Sequence, residues 1–233
     1  MVESSAMAER KSLKQRAFDK IPIGLKVAFL SNYDAYVDPR RYQLHVNREN
    51  NRRERLGTSV ADIFQYNLPE TKKNGSPQKI LDIAAGTGIV SRVLVERGYQ
   101  VHATDLSQEA LDYLKEQSPT IATTRADMNE GLPFAENQFD GATIVWSNRY
   151  IDNPKKFLFE TNRVLKVDGI LVWPLFPLDS LAWKLKIGIS KPTFPDSLET
   201  LAKKSGFKNA RQETLLFEAR GKEHQIPVLV AKK

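Results

Sequence analysis

Residues 79–105 read KILDIAAGTGIVSRVLVERGYQVHATD. The apolar run 80–84 has the length and branching of a buried parallel strand, and it passes directly into Ala84-Ala85-Gly86-Thr87-Gly88, small residues suited to a tight turn. Ile89, Val90, Val93 and Leu94 then recur at helical spacing with Arg92, Glu96 and Arg97 between them, and Gly98 is placed to stop the helix. A second strand over 101–104 ends on Asp105. The stretch is therefore one βαβ unit, with a glycine loop after its first strand and an acid after its second. Small residues let a ligand approach the backbone, the helix amino terminus offers unpaired N–H groups, and a carboxylate about 20 residues on suits the two hydroxyls of a ribose. These residues point to a bound nucleoside. The alternative is an ordinary crossover turn beside a solvated Asp105.

A nicotinamide fingerprint needs a third glycine or an alanine where this chain has Ser91. The loop from Asp82 instead resembles the D/E-x-G-x-G-x-G motif of class I S-adenosylmethionine-dependent methyltransferases, with Ala84 at the place of the first glycine. The resemblance implies S-adenosylmethionine as cofactor. It gives Asp82 the loop and the methionine amino group, and Asp105 the ribose. It also implies a Rossmann-like α/β fold with a seven-stranded sheet of order 3-2-1-4-5-7-6, strand 7 antiparallel and helices on both faces. The methyl on Ala84 is expected to tighten the space beside the methionine moiety.

Composition sets the wider bounds. At 233 residues, 41% hydrophobic and 27% charged, the chain suits one α/β domain with additions. It has no cysteine, which excludes disulfides, thiolate nucleophiles and cysteine-zinc sites. The N-terminal residues lack the apolar core of a signal peptide, and the most apolar stretch, 170–183, is broken by Pro174, Pro177 and Asp179, so no membrane span and a cytoplasmic location are expected. Net charge is +7. Residues 1–77 carry 14 Lys and Arg against 9 Asp and Glu, hence +5 of that total. Arg48, Arg52, Arg53 and Arg55 read either as an RNA-facing patch or as the solvated side of a helix over 49–66 whose apolar stripe is Leu56, Val60, Ile63 and Phe64; the helix is the favoured reading.

Residues 1–15 read as a disordered tail. Residues 16–78 read as a helical lid segment, and 79–233 as the methyltransferase-like domain. In the resembled family such a lid folds over the cofactor and helps form the substrate pocket, which makes Tyr33 and Tyr36 candidates for substrate contact; as ordinary packing residues they need only a satisfied hydroxyl. His45 is the candidate general base. His102, inside the second strand, and His224, at a distal hairpin, read as structural.

After Asp105, Ser107 is positioned to cap a helix with Glu109 in its first turn. A third strand over 121–125 leaves through Asp127 and Met128, which the resemblance assigns to the adenine amino group and the ring; Asp127 alternatively caps the next turn. Residues 131–146, GLPFAENQFDGATIVW, resemble the L-P-F-x-x-x-x-F-D stretch of the small-molecule, type 11-like branch, and imply that Leu132 and Phe134 pack beneath the cofactor. The fourth strand, 141–145, delivers Trp146, Arg149 and Tyr150 at its carboxyl end, where open α/β sheets bind ligands. The N/D-P-P-Y signature of methyltransferases acting on exocyclic amines is absent there. Asn153 and Pro154 open a helix to about Lys166, a turn over 165–169 resembles L-K-P-G-G, and a fifth strand over 170–173 follows. Residues 175–194 are a second candidate pocket wall. Asp196 is expected to cap a helix through Ser205, and two strands over 210–219 and 225–232 flank a loop at 220–224.

The resemblance thus implies cofactor contacts from Asp82, Ala84, Gly86, Thr87, Gly88, Asp105, Leu106, Asp127, Met128 and Trp146, and no metal. The implied activity is in-line methyl transfer to a small, largely apolar acceptor by a monomer or homodimer. The alternatives are an RNA methyltransferase using the basic N-terminal face and a non-catalytic methyltransferase-like binding module.

Overall fold

The computed structural model describes residues 52–69, 75–175, 197–219 and 222–233. The tail, the greater part of the lid with Tyr33, Tyr36, His45 and Arg48, and the second wall segment lie outside these residues. The elements, numbered among the described residues, begin with α1 (Arg52–Asn67), β1 (Lys79–Ile83), α2 (Ile89–Glu96) and β2 (Gln100–Asp105). They continue with α3 (Gln108–Gln117), β3 (Ala122–Arg125), β4 (Phe139–Ile144), α4 (Pro154–Val164) and β5 (Leu165–Pro174). The chain closes with α5 (Leu198–Lys204), β6 (Asn209–Ala219) and β7 (Lys222–Lys232). The sheet order is β3-β2-β1-β4-β5-β7-β6, with β7 antiparallel to both of its neighbours, as expected.

Strand period two divides the core. Ile80, Val101, Ile170, Val172, Val228 and Val230 face one side, where they meet Leu56, Val60 and Phe64 of α1 and Val90, Val93 and Leu94 of α2. Leu81, Ile83, Ala142, Ile144, Leu171, Trp173 and Leu229 face the other, against Phe157 and Leu158 of α4 and Leu198 and Leu201 of α5. The apolar stripe of α1 is thus buried, and Arg55 is exposed on the opposite side of the helix. No helix among the described residues is long and apolar enough to cross a membrane.

Local chemistry sets the ends of the elements. Ser107 Oγ accepts from the Ala110 N–H at 3.1 Å and Asn153 Oδ1 from the Lys156 N–H at 3.0 Å, so both expected caps are in place. Three expectations are corrected. The α5 cap is Ser197, whose hydroxyl accepts from the Thr200 N–H at 3.2 Å; Glu199 does not close a capping box but takes the Gln212 N–H at 2.7 Å and ties the helix to β6. The turn over 165–169 belongs to β5. Phe139 pairs with Leu165 and Gly141 with Ile170, so the extra residues bulge out, with Asp168 at φ 66° where the resembled turn has glycine. The final hairpin pairs as far as Ala219 with Lys222, which leaves 220–221 between the strands. Its distal half reaches beyond β5, where main-chain pairing between β6 and β7 continues through residues that sequence hydropathy marks as a loop. Phe134 packs edge-on against His102 and Phe139, with ring centroids 4.8 and 5.0 Å apart, on the sheet face near the start of β4.

Gly88 joins the loop to α2 at φ 74°, and a Cβ there would lie 2.2 Å from Leu114 of α3. Gly88→Ala is expected to destabilise the protein by roughly 3 kcal/mol, from overpacking plus left-handed strain. In a Leu114→Ala background the same change should cost only about 1 kcal/mol, the strain alone, as urea denaturation of the double-mutant cycle would measure.

Candidate functional site

The loop leaving β1 is held in an uncommon conformation. Ala84, Gly86 and Gly88 all have left-handed φ values, 56°, 57° and 74°. Glycine tolerates this and alanine resists it, at roughly 1 to 2 kcal/mol. The turn is closed by backbone bonds from the Ala85 N–H to the Thr104 carbonyl at 2.9 Å and from the Gly88 N–H to the Ala85 carbonyl at 3.0 Å. Between them the Gly86 N–H donates to Asp105 Oδ2 at 2.7 Å. Asp105 Oδ1 takes the Ser107 N–H at 2.9 Å, so one carboxylate joins the glycine loop to the turn after β2. Asp105 is 5% exposed, and burial raises its pKa while the N–H groups of Ser107, Gly86 and Leu106 pull it down. A carboxylate offers about four lone-pair positions, so room remains for a further donor.

Asp82 lies on the same side of β1 as Ile80, facing α2, and is 2% exposed. Its Oδ2 accepts from Ser91 Oγ at 2.6 Å. Desolvation is the main cause that pushes its pKa up to about 7; the Ser91 bonds oppose this and the nearby Asp105 charge adds to it. Thr87 is buried, and its carbonyl accepts from Arg92 at 2.8 Å.

The neighbouring strand ends complete the rim. Leu106, directly after Asp105, is 58% exposed. Ala126 is tied back to the Asp105 carbonyl at 3.0 Å, and Asp127 Oδ1 accepts from the Asn129 N–H at 2.9 Å, the capping alternative. Met128 is half-buried against the core on the α4 side. Trp146 follows β4 at φ 56° with 8% of its surface exposed, and it packs into the core on the α1 side. The chain then enters a short 3-10 turn, Asn148–Tyr150, in which Tyr150 is 39% exposed. The Arg149 side chain lies outside what is described. Two residues had no assigned role from sequence: Ser91, seen there only as a missing third glycine, and Asn129, for which no local pattern signals a tertiary contact.

A family model described as a methyltransferase domain, of type 11, matches residues 81–173. A demethylmenaquinone methyltransferase of Renibacterium salmoninarum is 42% identical over 95 residues, which is 41% of this chain and 40% of that protein. The chain thus spans about two fifths of the length of the curated relatives it matches first. Two solved structures share the fold. One is a chain of the complex between the Haloferax volcanii Trm112 methyltransferase activator and a methyltransferase, with TM-score 0.64, 16% identity, and coverage of 85% of this chain and 96% of that one. The other is an S-adenosylmethionine-dependent methyltransferase of Thermotoga maritima, with TM-score 0.58, 18% identity, and coverage of 90% and 99%. Residues 81–173 thus resemble the type 11 methyltransferase domain, and the fold is the one seen in solved S-adenosylmethionine-dependent methyltransferases.

The loop fits S-adenosylmethionine, the cofactor that the resemblance implies. Among the described residues, a Cβ built on Gly86 meets no atom within 4 Å, which leaves their side of the loop open to approach, and the buried Asp105 carboxylate accepts from the Gly86 N–H.

The protonation of Asp82 yields a stability test. Its folded pKa lies above the ordinary carboxylate value of 3.8, so between about pH 4 and 7 the folded state holds a proton that the unfolded chain has released. Stability without cofactor is expected to fall as pH rises through that window, by at most on the order of 4 kcal/mol, and to level off above it. Asp105 contributes in the same direction. Asp82→Asn keeps an acceptor for Ser91 and should flatten most of the slope in urea midpoints measured from pH 5 to 8.

Proposed function

We propose that the protein transfers the methyl group of S-adenosylmethionine to a small, largely apolar acceptor presented at the turn after β4. The bond from the Gly86 N–H to Asp105 carries the cofactor half of this reading, because it sets a carboxylate with spare lone pairs behind a loop that lets a ligand reach its backbone. In this reading Asp105 holds the ribose hydroxyls, Asp127 the adenine amino group, and Leu106 and Met128 bracket the ring. Ala84, Gly86, Thr87 and Gly88 face the methionine portion, with Asp82 beneath them and Trp146 at the far wall.

S-adenosylmethionine supplies a methyl group already activated on a sulfonium, so the protein's task is alignment and exclusion of water. Ala84 and Trp146 support this division of labour. They end adjacent strands, β1 and β4, and both take left-handed backbone that their side chains disfavour, at a cost of order 1 kcal/mol or more each. Strain held at two neighbouring carboxyl ends fits a rim shaped for a ligand. Tyr33, Tyr36, Arg149 and Tyr150 are the acceptor-side residues of the proposal, and His45 is its general base for an oxygen or nitrogen nucleophile.

The acceptor class rests on the missing N/D-P-P-Y after β4, on the exposed apolar surface of Leu106 and Tyr150, and on a relative named for methylating demethylmenaquinone.

Asp105→Ala, in a folded protein, is expected to weaken S-adenosylhomocysteine binding by about 2 to 3 kcal/mol in calorimetry, the loss of a charge-assisted bidentate contact. Gly86→Val should leave the fold largely intact and abolish binding. With labelled cofactor, nuclease-treated metabolite extract should accept methyl with little change between low and high salt; label appearing only in RNA, with a steep salt slope, would sink the small-acceptor reading.

A further inference from the structure

The loop after β3 and the turn after β4 belong to strands that are not neighbours, with β2 and β1 between them. One side chain joins them. Asn129 Nδ2 donates to the Tyr150 carbonyl at 2.9 Å, and Asn129 Oδ1 accepts from the Asp152 N–H at 2.8 Å. The amide therefore grips the backbone on both sides of Ile151. Asn129 is itself fixed from two directions, its N–H on Asp127 Oδ1 at 2.9 Å and its carbonyl taking Lys156 Nζ at 2.5 Å. The Glu130 N–H adds a bond to the Asp127 carbonyl at 3.0 Å, so residues 127–130 form one closed turn.

That turn carries Asp127 and Met128, the proposed adenine contacts; the gripped segment carries Tyr150, on the proposed acceptor side. An asparagine with both ends of its amide spent on backbone groups transmits position, because neither bond survives a shift of one turn against the other. We propose that Asn129 is a positioning residue through which occupation of the cofactor pocket orders the acceptor-side segment 148–152. The proposal rests on the cofactor reading given above. Adenine held by Asp127 and Met128 steadies the turn, Asn129 passes the constraint to the Tyr150 carbonyl and the Asp152 N–H, and the 3-10 turn between Ser147 and Ile151 is set for the acceptor.

Amide hydrogen exchange of the full chain, with and without S-adenosylhomocysteine, tests this at Tyr150 and Ile151, whose N–H acceptors are the Ser147 and Asn148 carbonyls and so do not depend on Asn129. In the wild type, the ligand is expected to slow exchange at both amides about fivefold, the equivalent of one ordinary hydrogen bond. In Asn129→Ala, bound ligand should still protect Ala85 and Gly88 but no longer Tyr150 and Ile151. Asn129→Asp keeps the acceptor for Asp152 and removes the donor to Tyr150; it should lose the same protection, and it serves if the alanine variant does not fold. Protection of Tyr150 and Ile151 that persists in either variant, or that is absent from the wild type with ligand bound, overturns the role of Asn129. Failure of the pocket reading shows differently, as Asp127→Ala binding S-adenosylhomocysteine with unchanged affinity.

Discussion

A buried carboxylate that accepts backbone N–H groups is the constraint on which the site depends. Asp105 holds the Gly86 N–H through one oxygen and the Ser107 N–H through the other, and so locks the loop after β1 to the turn after β2. A charge removed from water is costly unless it is met by donors, and here the donors are main-chain groups that would themselves be left unpaired by the tight turns. Loop and acid therefore stabilise each other. Asp82, one strand away, is met by the hydroxyl and the backbone of Ser91, yet its burial still pushes its pKa up to about 7. Two carboxylates in one βαβ unit are thus given different tasks by their neighbours alone.

The sheet supplies the rigidity this arrangement needs. Both its faces are covered by apolar helix stripes, with α1 and α2 on one side and α4 and α5 on the other. A doubly covered parallel sheet leaves its carboxyl ends as the accessible edge, and the unusual backbone collects there. Ala84 and Trp146 are left-handed at that edge, whereas Asn137 and Asp168, the other two such non-glycine residues among the described residues, have the short polar side chains that tolerate the conformation.

The match to the methyltransferase family covers residues 81–173, which hold every cofactor-side candidate from Asp82 to Trp146. The two segments that the sequence marks as pocket walls, 17–47 and 175–194, lie outside that match. In the proposed function the cofactor contacts all lie within that match, whereas the acceptor-side candidates Tyr33, Tyr36 and His45 lie outside it. This division is the reason a shared name among relatives informs the first far more than the second.

The sequence by itself determined the βαβ unit, the caps at Ser107 and Asn153 and the positions of Asp82 and Asp105, because each is written in periodicity or in contacts between residues close along the chain; the strand order came from the family resemblance. It misjudged 165–169 and 220–224, where polar composition suggests loops and the ladder nonetheless continues through a bulge and a hairpin; main-chain pairing is indifferent to the side chains that carry the sequence signal. Only the tertiary structure decided that Ser91 meets Asp82, that Gly86 meets Asp105 and that Asn129 meets the turn after β4. The residues in the last pair are 21 apart for Tyr150 and 23 apart for Asp152, and two strands lie between them in the sheet. Such contacts arise from how strands stack side by side, and a single chain read along its length has no period that records them.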